Sequence, residues 1–88
     1  MREYFFHLET EDGVERSDVG IPCEDLEHAF SNACAAIPEL AAERLRNRKN
    51  PLDCAFLIEN ADGELLRTVP FAELIEAVPA RQRKTDAV

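Results

Sequence analysis

DLEHAFSNACAAIPELAAERLRNRKN, residues 25–50, is the stretch on which the fold turns. Its apolar residues recur as Leu26, Phe30, Ala33, Ile37, Leu40 and Leu45, with Ala29, Cys34 and Ala41 flanking them. That spacing is close to the 3.6-residue period of an α-helix and marks one apolar stripe. Asp25 stands where an N-cap belongs, and Glu24 and Glu27 suit the positive end of the helix dipole. Arg44, Arg46, Arg48 and Lys49 fall in the last turns, where cations are favoured. Asn50-Pro51 closes the segment, because the residue before a proline is pushed out of the α region. Pro38 contradicts the pattern locally. It removes one backbone donor and crowds the carbonyl four residues back, at about 3 kcal/mol in a helix interior. The stripe continues in phase across it, which predicts one kinked helix rather than two, Asp25 to Ile37 and Glu39 to Asn47.

On the N-terminal side, Arg2 to Leu8 reads as a strand, rich in aromatics and bounded by a polar turn. Alternation puts Tyr4, Phe6 and Leu8 on one face and Glu3, Phe5 and His7 on the other. Glu11-Asp12-Gly13 is a tight turn in which Gly13 can take positive φ. A short edge strand, about Val14 to Ser17, returns beside the first, and Asp18-Val19-Gly20-Ile21-Pro22 reads as a connecting loop.

On the C-terminal side, Asp53 to Glu59 and Glu64 to Val69 form a second hairpin around Asn60-Ala61-Asp62-Gly63. Cys54, Phe56 and Ile58 alternate with Ala55, Leu57 and Glu59, while Leu65, Arg67 and Val69 alternate with Leu66 and Thr68. Phe71, Leu74, Ile75 and Val78 have helical spacing, so a short helix follows Pro70 and stops at Pro79. Residues 80–88 carry Arg81, Arg83 and Lys84 without an apolar stripe and are expected to be a mobile tail beyond a single domain spanning 1–79. The fold class is α+β, in the order β-β-α-β-β-α. A small, mainly antiparallel sheet of about four strands lies under one long helix.

The chain of 88 residues has 10 Lys plus Arg against 18 Asp plus Glu, for a net charge of −8. Such a field repels DNA and RNA, whose affinity for proteins rests largely on phosphate neutralisation, and it disfavours anionic membrane surfaces. No apolar run is long enough to span a bilayer, and the N-terminus lacks the pattern of a signal peptide. Three widely spaced cysteines, Cys23, Cys34 and Cys54, fit reduced thiols in a cytoplasmic protein better than a disulfide framework.

The opening phrase Tyr4-Phe5-Phe6-His7-Leu8, the Asp12-Gly13 turn, the helix entry Pro22-Cys23-Glu24-Asp25-Leu26-Glu27 and the closing phrase Thr68-Val69-Pro70-Phe71 together carry a resemblance. Over about residues 1 to 76 the chain resembles a family of short alphaproteobacterial proteins, a domain of unknown function. Pro38 departs from that pattern. The resemblance implies no activity, cofactor or partner.

The candidate chemistry is weaker than its structural alternatives. A zinc site would need four ligands from Cys23, Cys34, Cys54, His7 and His28, and none of these stand at paired ligand spacing. His28 points away from the stripe that Cys34 borders, and Cys34 and Cys54 read as small core residues. Cys23 precedes the helix, but Glu24, Asp25 and Glu27 oppose a thiolate and no basic residue adjoins it. His7 could act as a general base, yet among aromatic neighbours it reads as a packed or edge residue. Glu9, Glu11, Asp12 and Glu15 cluster about a hairpin turn as a solvated surface. The Asn60–Gly63 turn fails the calcium-loop pattern, because Ile58 stands where the first acidic ligand belongs. The basic run Arg44, Arg46, Arg48 and Lys49 complements the helix end and is free to pair with an acidic hairpin of a neighbour. Neither enzyme activity nor a cofactor or metal is expected.

What remains is a shortage of cover. If Tyr4, Phe6, Phe56, Ile58, Leu65 and Val69 lie under the long helix, the opposite face still presents Phe5, Leu57 and Leu66, with His7 and Thr68 beside them. Leaving three such side chains in water forfeits about 1.5–3 kcal/mol each, against a typical stability of about 5–15 kcal/mol. The short second helix can cover only part of it, and a contiguous apolar patch marks a contact site. The expectation is a non-enzymatic interaction module, most simply a symmetric homodimer joined through Phe5, His7, Leu57 and Leu66, with a protein partner also possible. The alternative is an acidic, antitoxin-like or regulatory subunit for a basic protein.

Overall fold

The N-terminal aromatic segment forms the longest strand, β1 (Arg2–Thr10). Gly13, at φ 130°, allows the chain to reverse, and Thr10 Oγ1 fastens the turn by accepting from Asp12 N–H and donating to Gly13 O. The return is β2 (Gly13–Glu15), with Leu8 opposite Glu15. After five residues the chain rejoins β1 as β3 (Ile21–Cys23), which pairs antiparallel with Arg2–Tyr4. Between the pairs Leu8↔Glu15 and Tyr4↔Ile21, β1 covers four positions while the returning chain covers six. The two extra residues lift residues 16–20 out of the ladder. The sequence places Ile21 and Pro22 in a loop, and the structure corrects this: a proline is tolerated on an edge strand where its missing N–H faces outward.

α1 (Leu26–Arg46) is one helix containing Pro38, so the stripe that runs in phase across the proline does belong to a single element. Asp25 caps it as expected, with Oδ1 accepting from His28 N–H at 2.8 Å. The buried line is Ala29, Ala33, Ile37 and Ala41, spaced four apart, with Leu26, Phe30, Cys34 and Leu40 packed along its flanks. Small residues on the central line let the helix sit close to the sheet. Leu45, placed in the stripe by its spacing, is instead 63% exposed, because the last turn runs past the core.

A single 3-10 turn at Pro51–Asp53 leads into β4 (Ala55–Glu59). An Asn60 turn follows, in which Asn60 Oδ1 accepts from Asp62 N–H and Glu64 N–H and Gly63 takes φ 82°. The chain returns as β5 (Leu65–Pro70) and enters α2 (Phe71–Ile75). The structure, a computed structural model, describes residues 1–75; the expected helix end at Val78–Pro79 and the tail 80–88 lie outside the described residues. The sheet order is β2-β1-β4-β5, with β3 also on β1 and every pairing antiparallel. This is the expected α+β fold, with one short strand added.

The core lies between α1 and the sheet: Tyr4, Ile37, Phe56, Ile58, Val69 and Phe71 are buried, and Phe6 and Leu8 pack against them. Phe6 meets Phe56 edge-on at 6.4 Å, and Phe56 meets Phe71 at 5.6 Å. The Arg67 guanidinium lies 3.8 Å from the centre of the Phe30 ring. Leu65 was expected beneath the helix but is 53% exposed. A register shift between Ile58 and Glu59 places it opposite Glu59, at the fraying end of the ladder.

Candidate interaction face

α1 and α2 lie on the same side of the sheet. α2 packs on α1, β5 and the 3-10 turn, and its first residue, Phe71, is sunk in the core beside Phe56. The described part of α2 therefore adds nothing to the opposite face. There, cross-strand pairing sets His7 against Leu57 and Leu57 against Thr68, with Phe5 opposite Glu59. Phe5 and Leu57 are half-buried and Leu66 is 36% exposed. Three of the four residues expected on a contact face thus retain exposed apolar surface.

His7 differs: it is only 3% exposed. Its cover is the 16–20 segment lifted out of the ladder. Ser17 N–H donates to His7 Nδ1 at 2.9 Å. Its Nε2 lies 3.0 Å from Glu59 Oε1, and Arg16 Nη2 donates to the same oxygen at 2.9 Å. Because Nδ1 accepts, the hydrogen-bond network assigns the proton of a neutral ring to Nε2, which donates to Glu59. At 3.3 Å from Arg16 Nη2, two donors then face each other rather than bond. Gly20 completes the seating of the segment. A Cβ there would stand 3.0 Å from Glu3 Cδ and 3.1 Å from Phe5 Cζ, so only a glycine lets the backbone lie this close to the Phe5 ring.

Glu59 itself is buried near the face. Burial pushes its carboxyl pKa up, but the hydrogen bonds from His7 and Arg16, together with the charge of Arg16 and that of His7 whenever its ring is protonated, outweigh this and hold it below the usual carboxylate range. A cleft of about 210 Å³ adjoins this cluster between the 16–20 segment and the Asn60 turn. Every polar atom that His7 and Glu59 present to one another is already partnered within the chain. Sequence reasoning named His7 and missed Arg16, Ser17 and Glu59. The one signal for them was a carboxylate ending an otherwise apolar strand.

The other candidates resolve into structural roles. Cys23 and Cys54 are buried and Cys34 is half-buried, and all three are free thiols. Burial pushes the Cys34 and Cys54 thiols up, away from the thiolate. Cys23 Sγ lies 3.5 Å from Asn32 Nδ2. His28 is exposed on α1, with Nδ1 accepting from Glu24 N–H. The basic end of α1 finds its acidic hairpin within the same chain: Arg44 pairs with Glu11 and Lys49 with Asp12. No helix among the described residues is long and apolar enough to cross a membrane.

Comparison with known proteins is short. No curated protein and no solved structure matches the chain. One family does, described as a domain of unknown function (DUF6894), and it covers residues 3–72, from the start of β1 into the first turn of α2. That span contains the sheet, the long helix and the open face, so the chain belongs to the DUF6894 family.

Proposed function

We propose that the chain is a non-enzymatic interaction module that self-associates through the open face of its sheet, most simply as a two-fold symmetric dimer. The observation that carries this is one-sided cover: both helices pack on one face, while Phe5, Leu57 and Leu66 keep apolar surface on the other. The chemistry at the centre of the face, rather than the net charge, fits a second copy as the occupant. Two chains of −8 repel wherever carboxylates meet. The centre of this face carries Leu57, Thr68 and Phe5, and its one buried carboxylate, Glu59, is compensated by Arg16. His7 supports the face from beneath and is not itself a contact. A non-enzymatic role fits a polar cluster whose facing atoms bond to one another and Cys34 and Cys54 thiols that burial shifts away from the thiolate.

Size-exclusion chromatography with light scattering tests this. The wild type is expected at twice the 9.9 kDa chain mass. Leu66→Lys puts a cation into the apolar contact, where its burial is costly, and is expected to weaken the dimer at least tenfold, to a monomer with unchanged circular dichroism. A wild type that stays monomeric at high micromolar concentration overturns the proposal. The net charge of −8 would then favour the alternative, an antitoxin-like or regulatory subunit for a basic protein, whose complex would dissociate as salt is raised.

A further inference from the structure

Residues 16–20 lie across the same face without belonging to the sheet. They are held by three attachments: Ser17 N–H on His7 Nδ1, Arg16 on Glu59, and Gly20 seated against Glu3 and Phe5. The Ser17 attachment has a chemical peculiarity. It exists only while Nδ1 keeps its lone pair, and a protonated imidazole presents N–H at both nitrogens. A second proton on His7 would therefore set N–H against N–H, with the ring shut in by the very segment it holds.

We propose that His7 is a proton-operated latch, and that protonating it frees the strap formed by residues 16–20 and bares more of the open face around Phe5. This rests on the open face being the docking surface. The groups facing the ring are Glu59 from β4 and Arg16 from the strap, with Asp18 lining the adjoining cleft and Glu9 two positions along β1. Glu59 already spends one oxygen on both Nε2 and Arg16, so it can follow the charge on the ring without supplying a new acceptor at Nδ1. The imidazolium has no partner at Nδ1 in this arrangement, and displacement of the strap is what gives that N–H access to water. The strap is also the part of β1's partner chain that lies outside the ladder, so its release leaves the β1–β2 and β1–β3 pairings in place.

The test is NMR on the full chain from pH 8 to pH 5, the interval in which histidine changes charge. Two quantities are followed: the imidazole ¹⁵N signals and the exchange protection factors of the backbone amides. His28→Gln, an exposed change on α1, leaves His7 as the only imidazole. The Ser17 amide is expected to lose at least tenfold in protection as pH falls, with the midpoint of the His7 ring signals, while amides of β4 keep theirs. His7→Gln, which offers Ser17 an acceptor that does not titrate, is expected to abolish the dependence; if that variant does not fold, coincidence of the two midpoints in the His28→Gln chain decides. A Ser17 protection factor that stays flat through the His7 titration overturns the latch, whatever the oligomeric state. A strap that opens while light scattering shows only monomer at every pH supports the latch and overturns the dimer.

Discussion

Phe71→Ala bears directly on whether the open face stays open. Phe71 is fully buried, its ring lies 5.6 Å from that of Phe56, and its N–H donates to Cys54 O at 2.9 Å. It is the anchor that keeps α2 on the side of α1. Truncating a buried phenylalanine costs about 3–5 kcal/mol, through lost transfer energy and the cavity left behind. At about 0.05–0.15 kcal/mol per residue, a chain of 88 residues holds about 4–13 kcal/mol in all. The substitution should therefore remove about a quarter or more of the stability. Phe71→Leu, which keeps most of the volume, should cost less than about 1.5 kcal/mol. Urea unfolding followed by far-ultraviolet circular dichroism measures both, and is preferable to fluorescence in a chain with no Trp and a single Tyr. A midpoint shift worth under about 1 kcal/mol for Phe71→Ala, with unchanged slope, would refute the reasoning. α2 would then not be anchored on the α1 side, and would be free to cover the face on which the proposed dimer depends.

Two further predictions follow from single side chains. Glu59 titrates below its ordinary value of 4.5 in the folded chain, so its contribution is fully present above that value and is lost as pH falls through the folded pKa. The stability advantage of wild type over Glu59→Gln should thus hold from neutral pH down to about 4.5 and shrink below it, as read from urea midpoints across pH. Pro38 is exposed inside α1, where it forfeits a helical hydrogen bond. Pro38→Ala should raise stability by about 2 kcal/mol, the helical gain less the entropy that proline removes from the unfolded chain, and thermal unfolding will show the direction.

Sequence by itself determined the α+β class, the two hairpins, the long helix and its Asp25 cap, because these follow from local rules of period, turn chemistry and capping. It also set which residues of β1 and β4 share a face, since alternation fixes this once a strand is recognised, but not that residues 16–20 would lie across one of those faces. Tertiary structure alone decided the rest. β3 escaped notice because a three-residue strand containing Pro22 has no pattern of its own and exists only by pairing with Arg2–Tyr4. Leu65 and Leu45 left the core because the ladder slips at Glu59 and the helix outruns the sheet, neither of which a residue pattern records. The His7 cluster joins positions 7, 16, 17 and 59, whose separation along the chain carries no signal until antiparallel pairing brings β1 and β4 side by side. Local interactions write themselves into composition and spacing. The buried contacts between distant segments do not, and on this chain they decide what covers the open face.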